Sequence, residues 1–120
     1  MKEKKEIGEI CLKYKNKKIK IRDFKKVSIF SPGLMFNKKE NAKALLFGFK
    51  KPVNLKITSF FVFFKFYAIF LDDKMNIVDL VLVSPWKFSV KSKKNYYFLL
   101  EIPVNSIYSS VTKQLDEVLE

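Results

Sequence analysis

Near the start of the chain apolar and polar positions alternate. Ile10, Leu12 and Tyr14 share one parity, with Lys13 and Lys15 on the other, and Ile19 and Ile21 alternate with Lys18, Lys20 and Arg22. Period-two alternation marks half-buried strands. A turn at Asn16-Lys17 pairs Tyr14 with Ile19 and Leu12 with Ile21, placing both apolar sets on one face of a hairpin. The other face is a row of lysines, the solvated kind that protects an edge from aggregation.

Residues 24–31 then predict a short helix or helical turn, with Phe24, Val27 and Phe30 near one face, interrupted by Pro32 and Gly33. Leu34-Met35-Phe36 is apolar, and Asn37 to Lys43 reads as a polar loop. Ala44 to Phe49 predicts a strand, and Lys50-Lys51-Pro52 a turn. Two segments dominate the middle. Ile57 to Phe64 and Phe66 to Leu71 are apolar on both parities, which predicts strands covered on both faces. The loop from Asp72 to Asn76 leads into a strand from Ile77 to Val83, which Ser84-Pro85-Trp86 ends. After a loop over Lys91 to Asn95, Tyr96 to Ile102 predicts another strand, stopped by Pro103. Asn105 or Ser106 can cap a helix through about Lys113 that buries Ile107 and Val111. Leu115 to Leu119 predicts a short last strand.

With no strand–helix–strand alternation the sheet is expected to be mostly antiparallel. The fold class is α+β, mainly antiparallel β, with a compact barrel-like sheet and one or two short helices. Closure of the sheet explains central strands without a polar face. The 120 residues fit one domain, with residues 1–6 as a flexible tail.

Composition narrows the chemistry. The chain has no His and one Cys. Ser-His-Asp and Cys-His catalysis and His-ligated zinc are therefore excluded, and Cys11 cannot form a thiolate cage or an internal disulfide. No metal site or cofactor is expected, and catalysis is disfavoured. Cys11 reads as a small buried hydrophobe between Ile10 and Leu12. The lone cysteine and a charged N-terminus without an apolar run behind it point to a cytoplasmic protein. The most membrane-like stretch, Ile57 to Leu71, is shorter than the ~18–20 residues a spanning helix needs and carries a central Lys65.

Charge changes the picture next. With 24 Lys plus Arg against 12 Asp plus Glu the net charge is +12. Residues 1–56 hold 17 cations and 5 acids, and residues 57–120 hold 7 of each, so the excess lies in the first half. A polyanion partner would meet Lys13, Lys15, Lys17, Lys18, Lys20, Arg22, Lys25 and Lys26. Arg22 is the sole arginine, whereas specific phosphate and base readers favour the arginine fork. Much of the charge therefore reads as Lys-rich composition, with non-specific nucleic-acid or polyanion binding as the alternative function.

Among single residues, Asp72 and Asp73 fit turn chemistry. Glu101, inside Leu99-Leu100-Glu101-Ile102, points to water if its strand has a solvated face; pointing inward it needs a partner or a raised pKa. Trp86 fits the rim of a core, and the Phe-rich run from Phe60 to Phe70 the core itself.

A set of motifs recurs in order: Gly33-Leu34-Met35-Phe36, Leu46-Phe47-Gly48-Phe49, Ile57-Thr58-Ser59-Phe60-Phe61-Val62, Ile69-Phe70-Leu71-Asp72, Ile77-Val78-Asp79, Ser84-Pro85-Trp86-Lys87 and Leu100-Glu101-Ile102-Pro103. Over about residues 18–119 this resembles the domain of unknown function family 192, also called uncharacterised protein family 0127, found in archaea and bacteria. The resemblance implies a small, mostly β domain with short helices and no established activity. Several polar family positions are replaced here: Thr58 stands for His, Phe63 for Arg, Lys65 for Pro, Tyr67 for Asp and Phe30 for an upstream Arg. Val104 and Asn105 replace a small residue and Gly. Ser59, Asp72, Trp86 and Glu101 match, and are the candidate ligand-binding residues that the resemblance implies. The expected function is a small binding or interaction module.

Overall fold

The computed structural model describes residues 8–28 and 31–120. The N-terminal tail and Phe30 of the sequence expectations lie outside them.

Strands β1 (Ile10–Tyr14) and β2 (Lys17–Ile21) form the expected hairpin in a different register. Tyr14 faces Lys17, Leu12 faces Ile19 and Ile10 faces Ile21, two residues away from the expected pairing. The turn is the shorter Lys15-Asn16, which Lys15 enters with φ 54°. A shift of two preserves side-chain parity, so Ile10, Leu12, Ile19 and Ile21 still share a buried face.

Asp23, at φ 58°, turns the chain into β3 (Phe24–Val27). In place of the helix expected over 24–31, Phe24–Val27 is a strand. It pairs parallel to β4 (Ala44–Val53), from Phe24 beside Ala44 to Val27 beside Phe47. The three-residue spacing of Phe24 and Val27 suits a helix, but pairing with β4 satisfies the backbone while Lys25 and Lys26 stay in water. The connection between these strands contains a 3-10 turn, Lys39–Asn41. β4 also runs through the expected turn at Lys50-Lys51-Pro52. Its pairing is irregular between Gly48 and Val53, where Pro52 has no N–H to give a ladder.

Three more strands, β5 (Phe66–Leu71), β6 (Ile77–Val83) and β7 (Tyr96–Pro103), complete a five-stranded sheet in the order β3-β4-β7-β5-β6. Among the described strands every strand pairing but β3–β4 is antiparallel. The order has two ends and does not close into a barrel. The hairpin reaches the β6 end, where the Lys13 N–H donates to the Met75 carbonyl at 3.1 Å.

The strand expected over 57–64 is absent. Ile57 makes one bridge to Val90, and the chain then turns back on itself, with the Val62 N–H on the Ser59 carbonyl. The C-terminal expectation is also corrected. A 3-10 turn, Ser106–Tyr108, with the Asn105 side chain accepting from the Ile107 N–H, leads into helix α1 (Ser109–Leu119). Tyr108, Thr112 and Leu115 form the buried side, Ile107 is exposed, and the segment expected as a last strand is helix. An i, i+4, i+7 spacing identifies that face better than Ile107 and Val111 do.

The sheet is buried on both sides. Tyr67, Ile69, Leu71, Leu100 and Ile102 face the hairpin and α1. Phe66, Ala68, Phe70, Tyr96 and Leu99 face a layer of loops that contributes Leu34, Ala42, Val62, Phe64 and Val90. This two-sided cover is why β5 is apolar at all six positions. Among the described residues no helix is long and apolar enough to cross a membrane.

Candidate functional site

The loop side of the sheet holds a cavity of about 430 Å³, a volume typical of small-ligand sites. Its walls are mainly apolar: Leu34, Met35, Phe47, Phe49, Phe66 and Leu99. Ser31, Lys56, Thr58, Tyr96 and Glu101 add polar groups. Glu101 sits in β7 between Leu45 of β4 and Ala68 of β5, so a central strand carries it into the loop-side layer. It points inward and not to water, because the strand has no solvated face.

Among the described residues neither Glu101 oxygen has a hydrogen bond or an ion pair, and burial is the sole cause acting on its titration. It pushes the carboxyl from the ordinary 4.5 up to about 7. Other polar groups around it are already engaged. The Tyr96 hydroxyl donates to the Leu55 carbonyl at 2.9 Å, and the Ser31 hydroxyl accepts the Gly33 N–H at 3.0 Å. Burial raises the Tyr96 hydroxyl, offset in part by its bond to Leu55, and the Glu101 charge raises it further. Thr58 Oγ1 accepts the Phe60 N–H. A carboxyl in this state can donate a hydrogen bond when protonated, or hold a cationic group when ionised.

The other three residues of the matched set lie outside this cavity. Ser59 is fully buried as a latch between loops: its hydroxyl donates to the Ser84 carbonyl at 2.7 Å and accepts the Lys87 N–H at 2.6 Å. Trp86 is tied to the same latch, its N–H donating to the Ser59 carbonyl at 3.0 Å. Its ring is half exposed. Asp72 organises the β5–β6 turn, its Oδ1 accepting from the Lys74 and Asn76 N–H groups and its Oδ2 from the Asn76 side chain. Burial raises the Asp72 carboxyl, but the Asn76 and Lys74 bonds outweigh it and the carboxyl lies below its ordinary value. The four therefore do not converge on one pocket. Among the described residues no cluster of His, Cys, Asp and Glu is placed to hold a metal.

The basic candidates are all exposed. Lys13 lies opposite Lys18 across the hairpin, and Cys11, half-buried, opposite Lys20, so Lys13, Lys18 and Lys20 share its outer face. Lys15 stands over the Tyr14 ring, 5.3 Å from its centroid. Lys17 borders α1 near Glu117. Arg22 is engaged by Glu9 at 2.8 Å. Lys25 and Lys26 lie on the edge strand β3.

Sequence reasoning missed a second feature. The run from Phe60 to Phe70 is not all core: Phe61 and Phe63 are exposed, as are Phe36 and Phe88. The signal was the doublets Phe60-Phe61 and Phe63-Phe64, of which a loop buries one member of each more deeply than the other.

No family model and no curated protein matches this sequence. Two solved structures share the fold. One is a protein of unknown function from Novosphingobium aromaticivorans DSM 12444, with a TM-score of 0.65 and 12% identity over 87% of this chain and 77% of that one. The other is a "putative transcription regulator" from Sinorhizobium meliloti 1021, with a TM-score of 0.60 and 15% identity over 83% and 76%. At these identities the likeness concerns the fold.

Proposed function

We propose that this chain is a binding domain for a small, largely apolar molecule with one polar head that meets Glu101. The observation that carries it is the Glu101 carboxyl: buried, without a hydrogen-bond partner among the described residues, and lining a cavity of about 430 Å³. An unpartnered buried polar group costs free energy, and a ligand that hydrogen-bonds it recovers that cost. The test is ligand-observed NMR with a fragment panel of aromatic amides and amines, on the wild type, Glu101→Gln and Met35→Trp, the last to fill the cavity. Fragments bound by the wild type and lost in both variants support the reading. Binding that survives Met35→Trp places the ligand elsewhere and refutes it.

A second reading rests on the Lys13–Lys18 juxtaposition across the hairpin. Like charges directly opposite each other are destabilising, and a polyanion laid along that face relieves them. Affinity for single-stranded DNA that fails to fall steeply with added salt would sink it.

Three further features belong to this reading. The ordered motifs from Gly33-Leu34-Met35 to Leu100-Glu101-Ile102-Pro103 support placing the chain in the domain of unknown function family 192. The Lys13–Asn76 bridge supports a barrel-like arrangement in which the hairpin extends the β6 end of the sheet. The single cysteine, Cys11, supports a cytoplasmic location.

A further inference from the structure

Six aromatic side chains form one cluster on the loop side. Trp86 makes edge-on contacts with Phe60, Phe61 and Phe63, at centroid distances of 6.2, 4.9 and 5.6 Å. Phe88 meets Phe60 at 4.9 Å, and Phe36 stacks on Phe61 at 5.0 Å. Unlike a core, this cluster faces outward: Phe88 is 81% exposed, Phe36 68% and Phe63 60%. Large contiguous apolar patches on a folded surface mark interaction sites.

The backbone holds these rings out at a cost. Phe36, Phe61 and Trp86 have φ of 62°, 60° and 62°. The left-handed region is unfavourable for bulky residues, by the order of 1 kcal/mol each in general. Such strain clusters at functional sites. Ser59 latches two of the loops, 55–65 and 84–91, and the Phe36 N–H donates to the Phe61 carbonyl at 2.9 Å to tie in the third, 31–41.

The charge of these loops says what they meet. Segments 31–41, 55–65 and 84–91 carry Lys38, Lys39, Lys56, Lys65, Lys87 and Lys91 against a single acid, Glu40. All six lysines are exposed. We infer that the aromatic cluster is a docking surface for an anionic lipid bilayer, with the Phe36, Phe63 and Phe88 rings entering the interface and the lysines contacting the headgroups. Aromatic residues with flanking lysines suit that boundary, where rings lose water and ammonium groups keep it.

Other occupants fit less well. A second copy would bring together two sets of loops that both carry an excess of lysine. A folded protein partner needs regular hydrogen bonds across its interface, roughly one per 100–200 Å², and the six rings at its centre supply one side-chain donor, the Trp86 indole N–H, the other side-chain donors of these loops being mainly charged lysines. For a single-stranded nucleic acid, which stacks bases on open ring faces, Trp86 is only half exposed and has three phenylalanines in edge contact with it.

The test is co-sedimentation of the full chain with phosphatidylcholine vesicles, with and without phosphatidylglycerol, read in parallel by fluorescence of Trp86, the only tryptophan. The wild type partitions onto the anionic vesicles with a blue shift and weakly onto the zwitterionic ones. Phe63→Ser/Phe88→Ser, at exposed positions that leave the fold intact by circular dichroism, binds at least about tenfold more weakly. Lys65→Glu/Lys87→Glu loses the preference for anionic lipid. Phe61→Gly, relieved of its left-handed cost but without its contacts to Phe36 and Trp86, keeps the far-ultraviolet spectrum of the wild type and binds more weakly. The inference is overturned by any of four results: no partition at low salt, undiminished partition of the serine variant, retention of an oligonucleotide in place of vesicles, or concentration-dependent dimerisation that buries Trp86. None of these involves the Glu101 cavity, so its ligand reading stands or falls separately.

Discussion

Gly33 lies against the Glu101 carboxyl: a Cβ at Gly33 would stand 3.6 Å from Oε1. The glycine holds φ 68°, a conformation that disfavours a side chain, while the 3.6 Å distance itself leaves room for a methyl in ordinary contact with the carboxyl. Gly33→Ala is expected to cost about 1 kcal/mol from the backbone alone. The added methyl also dries the carboxyl further and moves its titration upward. Denaturant melts and carboxyl carbon NMR check the two effects separately. An unchanged Glu101 titration would show that the glycine does not shape the site.

The raised Glu101 pKa fixes the sign of one pH effect. The folded state holds this proton up to about pH 7, whereas an exposed glutamate releases it near 4.5. Between those values the native state binds more protons than the unfolded chain, so stability falls as pH rises. The contribution is full below about 4.5 and lost above about 7, by ~3 kcal/mol. Asp72 acts in the opposite sense and outside this window, since its lowered carboxyl loses stability only as pH falls through its own range. Urea midpoints between pH 4 and 8 test the slope (a measurement range chosen to bracket the window). Glu101→Gln should flatten it and be more stable than the wild type at the alkaline end.

Sequence parity revealed the two-faced burial of β5 but not the direction of Glu101. Placing Glu101 in water required β7 to have a solvated face. It has none because it is hydrogen-bonded to β4 on one side and β5 on the other, with core on both faces. Strand order is a property of long-range pairing, and local periodicity does not encode it. The same limit explains residues 57–64, where Phe60-Phe61 and Phe63-Phe64 imitate a two-faced strand. What makes the segment a loop is the buried Ser59 hydroxyl satisfying groups more than 20 residues away in sequence. Apolar parity did read correctly which hairpin face is buried, and missed only the register, which turn length sets. The aromatic cluster escaped because its members come from three separate segments.

Tyr108 joins both chain halves through one hydroxyl. It donates to the Asp23 carbonyl and accepts the Ala44 N–H at 2.7 Å. This bond fixes the β2–β3 corner against the start of β4, from the turn that opens α1. Burial raises the Tyr108 hydroxyl above its ordinary value, the Ala44 bond opposes that shift, and the nearby Asp23 charge adds to it. Tyr108→Phe keeps the ring and strands the Ala44 amide, so a loss of about 1–3 kcal/mol is expected. Chemical denaturation gives the number, and amide exchange at Ala44 should accelerate more than that at Leu100 in the sheet centre. A loss below about 0.5 kcal/mol would mean that water replaces the hydroxyl.

Ser59 provides the sharpest separation between folding and surface organisation. Its hydroxyl serves one carbonyl and one N–H of the 84–91 loop, and its own backbone accepts from Trp86 and donates to Lys87. Ser59→Ala leaves the backbone bonds in place and orphans the Ser84 carbonyl and the Lys87 N–H. Because both lie in a loop that water can reach, the expected cost is about 1–2 kcal/mol, the lower part of the range for a lost buried bond. The local effect should be larger than the global one. Freed of the latch, Trp86 relaxes from its left-handed backbone and separates from Phe61 and Phe63. Trp86 emission should therefore shift to the red and become more easily quenched, while the far-ultraviolet spectrum stays unchanged. Ser59→Thr retains the hydroxyl but adds a methyl to a site with no exposed surface, so it should restore emission only in part. If Ser59→Ala leaves both emission and quenching at wild-type values, the backbone pair alone holds the aromatic cluster and the hydroxyl is dispensable to it.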